Sequence, residues 1–313
     1  MTLVALSGGV GGAKLVSGLA GVCGPGELMA VVNTGDDFDY LGLRVCPDID
    51  SVLYAAAGLN DSVRGWGREN ESWNFHHSLP QLGFESWFML GDRDLATHVL
   101  RTDWLRQGAT LSEVTARMAH ALGLAFDIVP MSDDAVRTHV DTPEGVLAFQ
   151  DYFVRRRCEP LCRGIRFEGA GTARLAAPLA RQADAGAVQG WVICPSNPFV
   201  SIGPMLAVPG LRDRLGQRRA PCVAVSPIIA GQAVKGPAAK MMAELGLEVS
   251  ALGVARRYAG LIDGLVLDRR DAAQAPAIEA LGIRVGVTDT LMTDADSRER
   301  VARASLELIA RCG

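Results

Sequence analysis

Residues 1–14, Met-Thr-Leu-Val-Ala-Leu-Ser-Gly-Gly-Val-Gly-Gly-Ala-Lys, constrain the fold more than any other stretch of this chain. A short apolar run, Leu3 to Leu6, has the composition of a buried strand. It breaks at Ser7 into Gly8, Gly9, Gly11 and Gly12, and Lys14 then opens an apolar-periodic helix through Leu15, Val16 and Leu19. Backbone N–H groups and the positive end of the helix dipole face an anion at such a junction, and glycine lets the backbone come close. The loop is not a full dinucleotide fingerprint, because Lys14 stands where the third glycine of G-x-G-x-x-G would be. It is not a Walker A loop either, because Leu15 stands where Ser or Thr would meet magnesium. The pattern predicts an anionic ligand, a nucleotide by preference. The plainer reading is a glycine turn that packs a helix on a strand.

Strand-like and helical runs alternate along the rest of the chain. Further strands are expected at Leu28–Val32, Phe126–Pro130, Val188–Cys194, Cys222–Val225, Leu265–Leu267 and Ile283–Val287. Pro47 and Asp48 start a helix through Val52, Leu53 and Ala56, and Thr110 with Glu113 forms a capping box ahead of Val114, Met118 and Leu122. Such alternation implies an α/β fold with a Rossmann-like, doubly wound, mostly parallel sheet. Polar residues follow the strands directly: Asn33 to Asp37, Ser132 to Asp134, Ser196 with Asn197, Ser226, and Thr288 to Thr290. Open α/β sheets bind ligands there, beyond the carboxyl ends of their strands. Residues 55–185 have weaker periodicity and carry Trp66, Trp73, Trp87 and Trp104. They read as a helical and hairpin insertion covering the cleft of one domain spanning residues 1–313.

A net charge of −4 argues against a general nucleic-acid binder, and no apolar run approaches the roughly 20 residues of a membrane span. The arginines at 155–157 read as a solvated helix end. The N-terminus enters its first strand at once, so no secretory leader is expected. The scattered cysteines, of which only Cys158 and Cys162 lie close together, suit a reducing cytoplasm rather than a structural zinc site.

Acidic residues gather at Asp36 and Asp37, Asp48 and Asp50, Asp92 and Asp94 around Arg93, and Asp133 and Asp134. Phosphoryl chemistry needs acids to hold Mg²⁺ and cations to offset phosphate charge. Any one pair can equally be a helix cap or a solvated turn. In the segment from Pro195 to Pro198, followed by Ser201 and Pro204, prolines fix a polar loop after a buried strand. Lys235 and Lys240 are candidate phosphate cations.

At this point the chain resembles the CofD family, the 2-phospho-L-lactate transferases of coenzyme F420 biosynthesis. The matching segments run in order through Ser7–Lys14, Val32–Asp37, Pro47–Tyr54, Leu90–Asp94 with Thr97 and His98, Pro130–Asp134, Phe149–Phe153, Pro195–Pro204, Val225–Ile229, Gly236–Lys240 and Thr288–Met292. The resemblance implies a Rossmann-like core, a homodimer and a Mg²⁺ requirement. It implies transfer of a phospholactyl, phosphoenolpyruvyl or phosphoglyceryl group from a guanosine-diphosphate conjugate to the ribityl hydroxyl of the deazaflavin Fo, with release of GMP. On that basis Gly9, Gly11, Gly12 and Lys14 are expected to cradle the diphosphate, and Asn33, Thr34, Ser196, Asn197 and Ser201 to serve nucleotide binding. Asp50 is the candidate for orienting or deprotonating the acceptor hydroxyl, Arg93 for steadying phosphate or Fo, and Asp37 and Asp48 for holding Mg²⁺. The competing readings are a nucleotide-sugar-binding regulator of the same fold, which would lack catalysis, and an NAD(P) dehydrogenase, for which no hydride-transfer set is seen.

Overall fold

In the computed structural model, which describes residues 2–217 and 219–313, the apolar runs become one sheet. Its strands are β1 (Thr2–Ser7), β2 (Leu28–Val32), β3 (Asp127–Pro130), β4 (Val188–Ile193), β5 (Cys222–Val225), β6 (Gly264–Asp268) and β7 (Arg284–Thr288). They lie in the order β7-β6-β5-β4-β1-β2-β3, and every pairing is parallel. Alternate strand residues feed two separate cores, as the two-residue period of a strand requires. Leu3, Ala5, Leu28 and Ala30 meet α1 (Gly9–Val22), α2 (Pro47–Ala56), α4 (Leu111–Ala121) and α7 (Ala295–Cys312) on one face. Val4, Leu6, Met29 and Val31 meet α5 (Ala238–Glu244), α6 (Ala251–Tyr258) and the short helices Ile202–Ala207 and Leu211–Gly216 on the other. The sheet is therefore doubly wound. A further helix, α3 (Asp92–Arg106), lies outside these layers and reaches the cavity described below.

The chain runs outward from β1 through β2 to β3, then returns to β4 on the other side of β1 and continues to β7. The strand order thus reverses between β1 and β4, which is where a crevice opens at the carboxyl ends of parallel strands. The residues that leave those two strands are the glycine loop and the loop from Pro195.

Two expectations change in detail. The first helix begins at Gly9, not at Lys14, so the glycines form its first turn. The reason is close crossing: a Cβ on Gly11 would sit 2.5 Å from the Pro195 carbonyl oxygen, and one on Gly12 2.4 Å from Ser7 Oγ. The arginines at 155–157 do not end an α-helix. They close a five-residue π-type turn, Asp151–Arg155, and enter a left-handed backbone at Arg157. Within 55–185, β3 and α4 are part of the layered core, while Arg137–Thr142, Gly145–Ala148 and Gly164–Glu168 form a separate antiparallel sheet.

Candidate functional site

The crevice holds a cavity of about 610 Å³, within the range of small-molecule sites. One part of its wall is the start of α1. Gly8, Gly9, Gly11 and Lys14 line it, and α1 has no acidic residue in its first turn and no side-chain cap. Ser196 Oγ takes the Gly8 N–H and Asp48 the Gly9 N–H, which leaves the later N–H groups of the first turn, with the helix dipole behind them, for a ligand. Ser196, Asn197 and Ser201 line the facing loop. Ser196 Oγ accepts from the Gly8 N–H at 3.0 Å, and Asn197 Oδ1 accepts from the Phe199 N–H at 2.9 Å, so these side chains also hold the loop in shape. Lys14 Nζ donates to the Met292 carbonyl at 2.8 Å, and burial, with Arg298 adding, lowers its pKa.

Another part of the wall is aromatic: Trp66, Trp87, Phe88, Phe149 and Phe153. Phe149 and Phe153 stack at 5.4 Å with planes 6° apart. These rings all come from the 55–185 stretch.

Acids complete the lining, in two groups set by α2. Asp48 and Asp50 lie in its first turn, where residues two apart point in different directions. Asp48 turns to Asn33, whose Nδ2 donates to it at 2.9 Å, and to the Gly9 backbone N–H. Burial raises its pKa to about 6. Asp36 shares that region. Burial first, and then the charge of Asp48, push its pKa well above the usual carboxylate range, and its Oδ1 has no hydrogen-bond partner. Among the described residues neither group forms an ion pair.

Asp50 turns instead to Arg101 of α3. The fully buried guanidinium grips both carboxylate oxygens, Nη1 at 3.1 Å from Oδ2 and Nη2 against Oδ1. Burial opposes the charge on Arg101, but Asp50, with Cys46 and Tyr54, more than offsets it, and the pKa is raised. Arg101 Nη1 also lies 3.2 Å from His98 Nδ1. A guanidinium only donates, so this assigns Nδ1 as acceptor and the ring proton to Nε2, which faces Asp94 Oδ1 at 3.3 Å. Tyr54 donates to the same Asp94 oxygen at 2.6 Å. Asp50, Asp94 and His98 are the one trio of ligand-type atoms within 4.8 Å of one another among the described residues. The arginine bound to Asp50 opposes a cation there.

The structure thus brings together Gly9, Gly11, Lys14, Asp48, Asp50, Ser196, Asn197 and Ser201. It places five candidates elsewhere. Gly12 is buried in the crossing of Ser7 and Ser196. Asn33 and Thr34 lie beneath the cavity floor, Asn33 bracing Asp48 and the Val200 carbonyl. Asp37 is buried off the lining, and burial raises its pKa to about 7 against the Cys46 thiol and the charges of Arg137, Arg101 and Arg44. Asp36 occupies the cavity-facing position expected of Asp37 because the two side chains leave the loop in different directions. Arg93 is exposed on the first turn of α3 and does not line the cavity, although Asp94 and His98 of the same helix do.

Arg101 was not singled out from the sequence, but a signal was present. Asp94, His98 and Arg101 recur at spacings of four and three, one face of a helix. A polar stripe of that kind turned toward a core marks a buried network.

Comparison with known proteins agrees with this geometry. Residues 3–301 match the family described as 2-phospho-L-lactate transferase CofD. The 2-phospho-L-lactate transferase of Methanosarcina mazei is 39% identical over 96% of this chain and 98% of its own. The phosphoenolpyruvate transferase of Kitasatospora aureofaciens is 41% identical over 98% of each chain, and that of Streptomyces griseus 40% over the same shares. A solved structure of a upf0052 family protein from Bacillus halodurans superposes with a TM-score of 0.62 at 15% identity, covering 97% of this chain and 98% of that one, and it shares the fold. The chain belongs to the CofD family of transferases.

Proposed function

We propose that this CofD-family protein transfers a phospho-acid group from a guanosine-diphosphate-linked donor to the ribityl hydroxyl of the deazaflavin Fo, releasing GMP. The observation that carries this reading is a single cavity walled by the glycine-rich first turn of α1, an aromatic face and buried carboxylates. The donor diphosphate suits the N–H groups of α1 and the ammonium of Lys14. A flat ring system suits the rings of Trp66, Trp87 and Phe88. Relatives named for phospholactate and for phosphoenolpyruvate are similar to this chain to nearly the same degree, so the transferred acid is left to experiment.

Asp36 and Asp48 fit Mg²⁺. Both are buried oxygen donors on the lining, neither forms an ion pair among the described residues, and Asp36 Oδ1 is unpartnered. Bound there, the ion would offset charge on the diphosphate as the anhydride breaks. The acceptor oxygen bonds to the phosphorus that carries the acid, the anhydride bond to GMP breaks, and the hydroxyl proton leaves to a cavity carboxylate. Asp50, held rigid by Arg101, orients the attacking hydroxyl. His98 and Tyr54 fix Asp94 beside it. The reading also fits a protein whose described helices include none long and apolar enough to cross a membrane.

The test is a reaction of purified protein with Mg²⁺, Fo and each of the lactate, enolpyruvate and glycerate donors, read by product mass. A new Fo adduct with GMP is expected from at least one donor. No product from any of them, in folded protein, overturns the reading.

A further inference from the structure

Residues 61–68 form a loop bonded largely to itself. Asp61 Oδ1 accepts from the Val63 and Arg64 N–H groups at 2.9 and 2.7 Å, and the Gly65 N–H donates to the Asp61 carbonyl at 2.8 Å. Arg64 pairs with Asp61 at 2.9 Å and lies over the rings of Trp66 and Trp73, 5.4 and 4.9 Å from their centroids. The loop is tied across the fold at two polar points. Arg68 lies over the Tyr54 ring at 5.5 Å, and Lys235 Nζ donates to the carbonyls of Arg64 and Gly65 at 3.3 and 2.7 Å.

The second tie sits on the ligand's side of the wall. Lys235 lines the cavity with Lys14, and the charge of Lys14 adds to burial in lowering the pKa of Lys235. Two ammonium-bearing side chains on the lining of one cavity mark a place for an anion of more than one charge. An ammonium has three N–H donors, and the Arg64 and Gly65 carbonyls take two of them. Trp66 and Gly67, next along the same loop, line the cavity too. The contact is tight: a Cβ on Gly65, whose φ is +71°, would fall 2.3 Å from Lys235 Nζ.

We propose that Lys235 is a positioning residue that couples the two substrates. Its ammonium bridges a phosphate oxygen of the bound nucleoside diphosphate to the Arg64 and Gly65 carbonyls, so that donor binding sets Trp66 for the acceptor ring. This rests on the transferase reading above. It assigns the loop 61–68 to the acceptor side and makes its order depend on the donor. A ligand that strengthens one end of such a bridge strengthens the other by the same factor.

Three variants separate the bridge from its parts: K235M removes the charge, K235R keeps it, and G65A displaces the ammonium from the loop while leaving it in the cavity. The first readout is tryptophan fluorescence during GDP titration without acceptor, with W66F subtracted to isolate Trp66. The expected result is a GDP-dependent Trp66 signal in the wild type and K235R that is lost in K235M and G65A. The second readout is steady-state kinetics. The KM for Fo should rise about tenfold or more in K235M and G65A, recover in K235R, and rise in G65A with GDP affinity within about threefold of wild type. A Trp66 signal that survives in G65A, or a K235M variant that loses GDP affinity with its KM for Fo unchanged, overturns the coupling and leaves Lys235 a phosphate contact alone. The fluorescence readout needs no turnover, so the coupling can fail or stand separately from the transferase reading.

Discussion

Asp48 and Asp50 leave the first turn of α2 two residues apart and enter opposite electrostatic surroundings. Asp48, with Asp36, is buried among neutral donors, and both pKa values are raised. Asp50 is buried against a guanidinium that occupies both its oxygens. Among the described residues neither acid of the first pair forms an ion pair, and their raised pKa values mean that a proton or a bound cation must neutralise them. The second is complete within the protein and serves geometry. Burial alone does not say which carboxylates suit a cation and which are held in place to orient a substrate; the partner does.

Changing Asp48 to Asn probes the larger functional effect. Turnover should fall by about 10³-fold or more, near 4 kcal/mol of transition-state stabilisation, with the melting temperature of metal-free protein unchanged or raised. A variant with full turnover would remove Asp48 from the ion site. Changing Arg101 to Met should have the opposite balance. It strands Asp50 as a buried unpaired charge, and a loss of about 3–5 kcal/mol is expected in denaturant unfolding. Little change in stability would mean that the pair is not closed as described.

Asp50→Asn sharpens the contrast at the active site. Turnover should drop about 10- to 100-fold while donor affinity stays nearly constant, because an orienting group acts on the reacting hydroxyl. Equal losses in both would assign Asp50 to donor binding. The smallest effect is one of pH. A carboxylate whose folded pKa lies above its unfolded value makes the native state less stable as pH rises through the folded pKa. With Asp48 raised from 3.8 to about 6, metal-free protein should lose about 1–2 kcal/mol from this group between pH 5 and pH 8. Mg²⁺ should restore more stability at pH 8 than at pH 5, and equal thermal shifts at both would contradict the assignment.

Much of the frame was legible in the residues. The strands at Leu28–Val32 and Cys222–Val225, the helix from Pro47 to Ala56 and the Thr110 capping box are all found where the pattern put them. The glycine loop and the Pro195 loop were read as ligand-facing and meet at the strand-order reversal. Two of the candidates that lie off the lining, Asp37 and Arg93, share one property. Asp36 and Asp37 are neighbours with the same chemistry, and Arg93 sits between two acids. Nothing local says which of two adjacent side chains turns inward.

The sequence by itself determined the doubly wound α/β class, the strand ends as the edge where the cavity opens, and the family. Apolar period, turn residues and caps act between residues a few positions apart, so they are written in order along the chain. Only the tertiary structure decided that Asp50 belongs to Arg101, that Asp36 rather than Asp37 faces the cavity, and that Lys235 reaches the loop at Gly65. These pairings join residues 51 and 170 positions apart. Which partners meet across such separations is set by how the layers pack, and that packing fixes which buried charges are neutralised and which are left for a ligand.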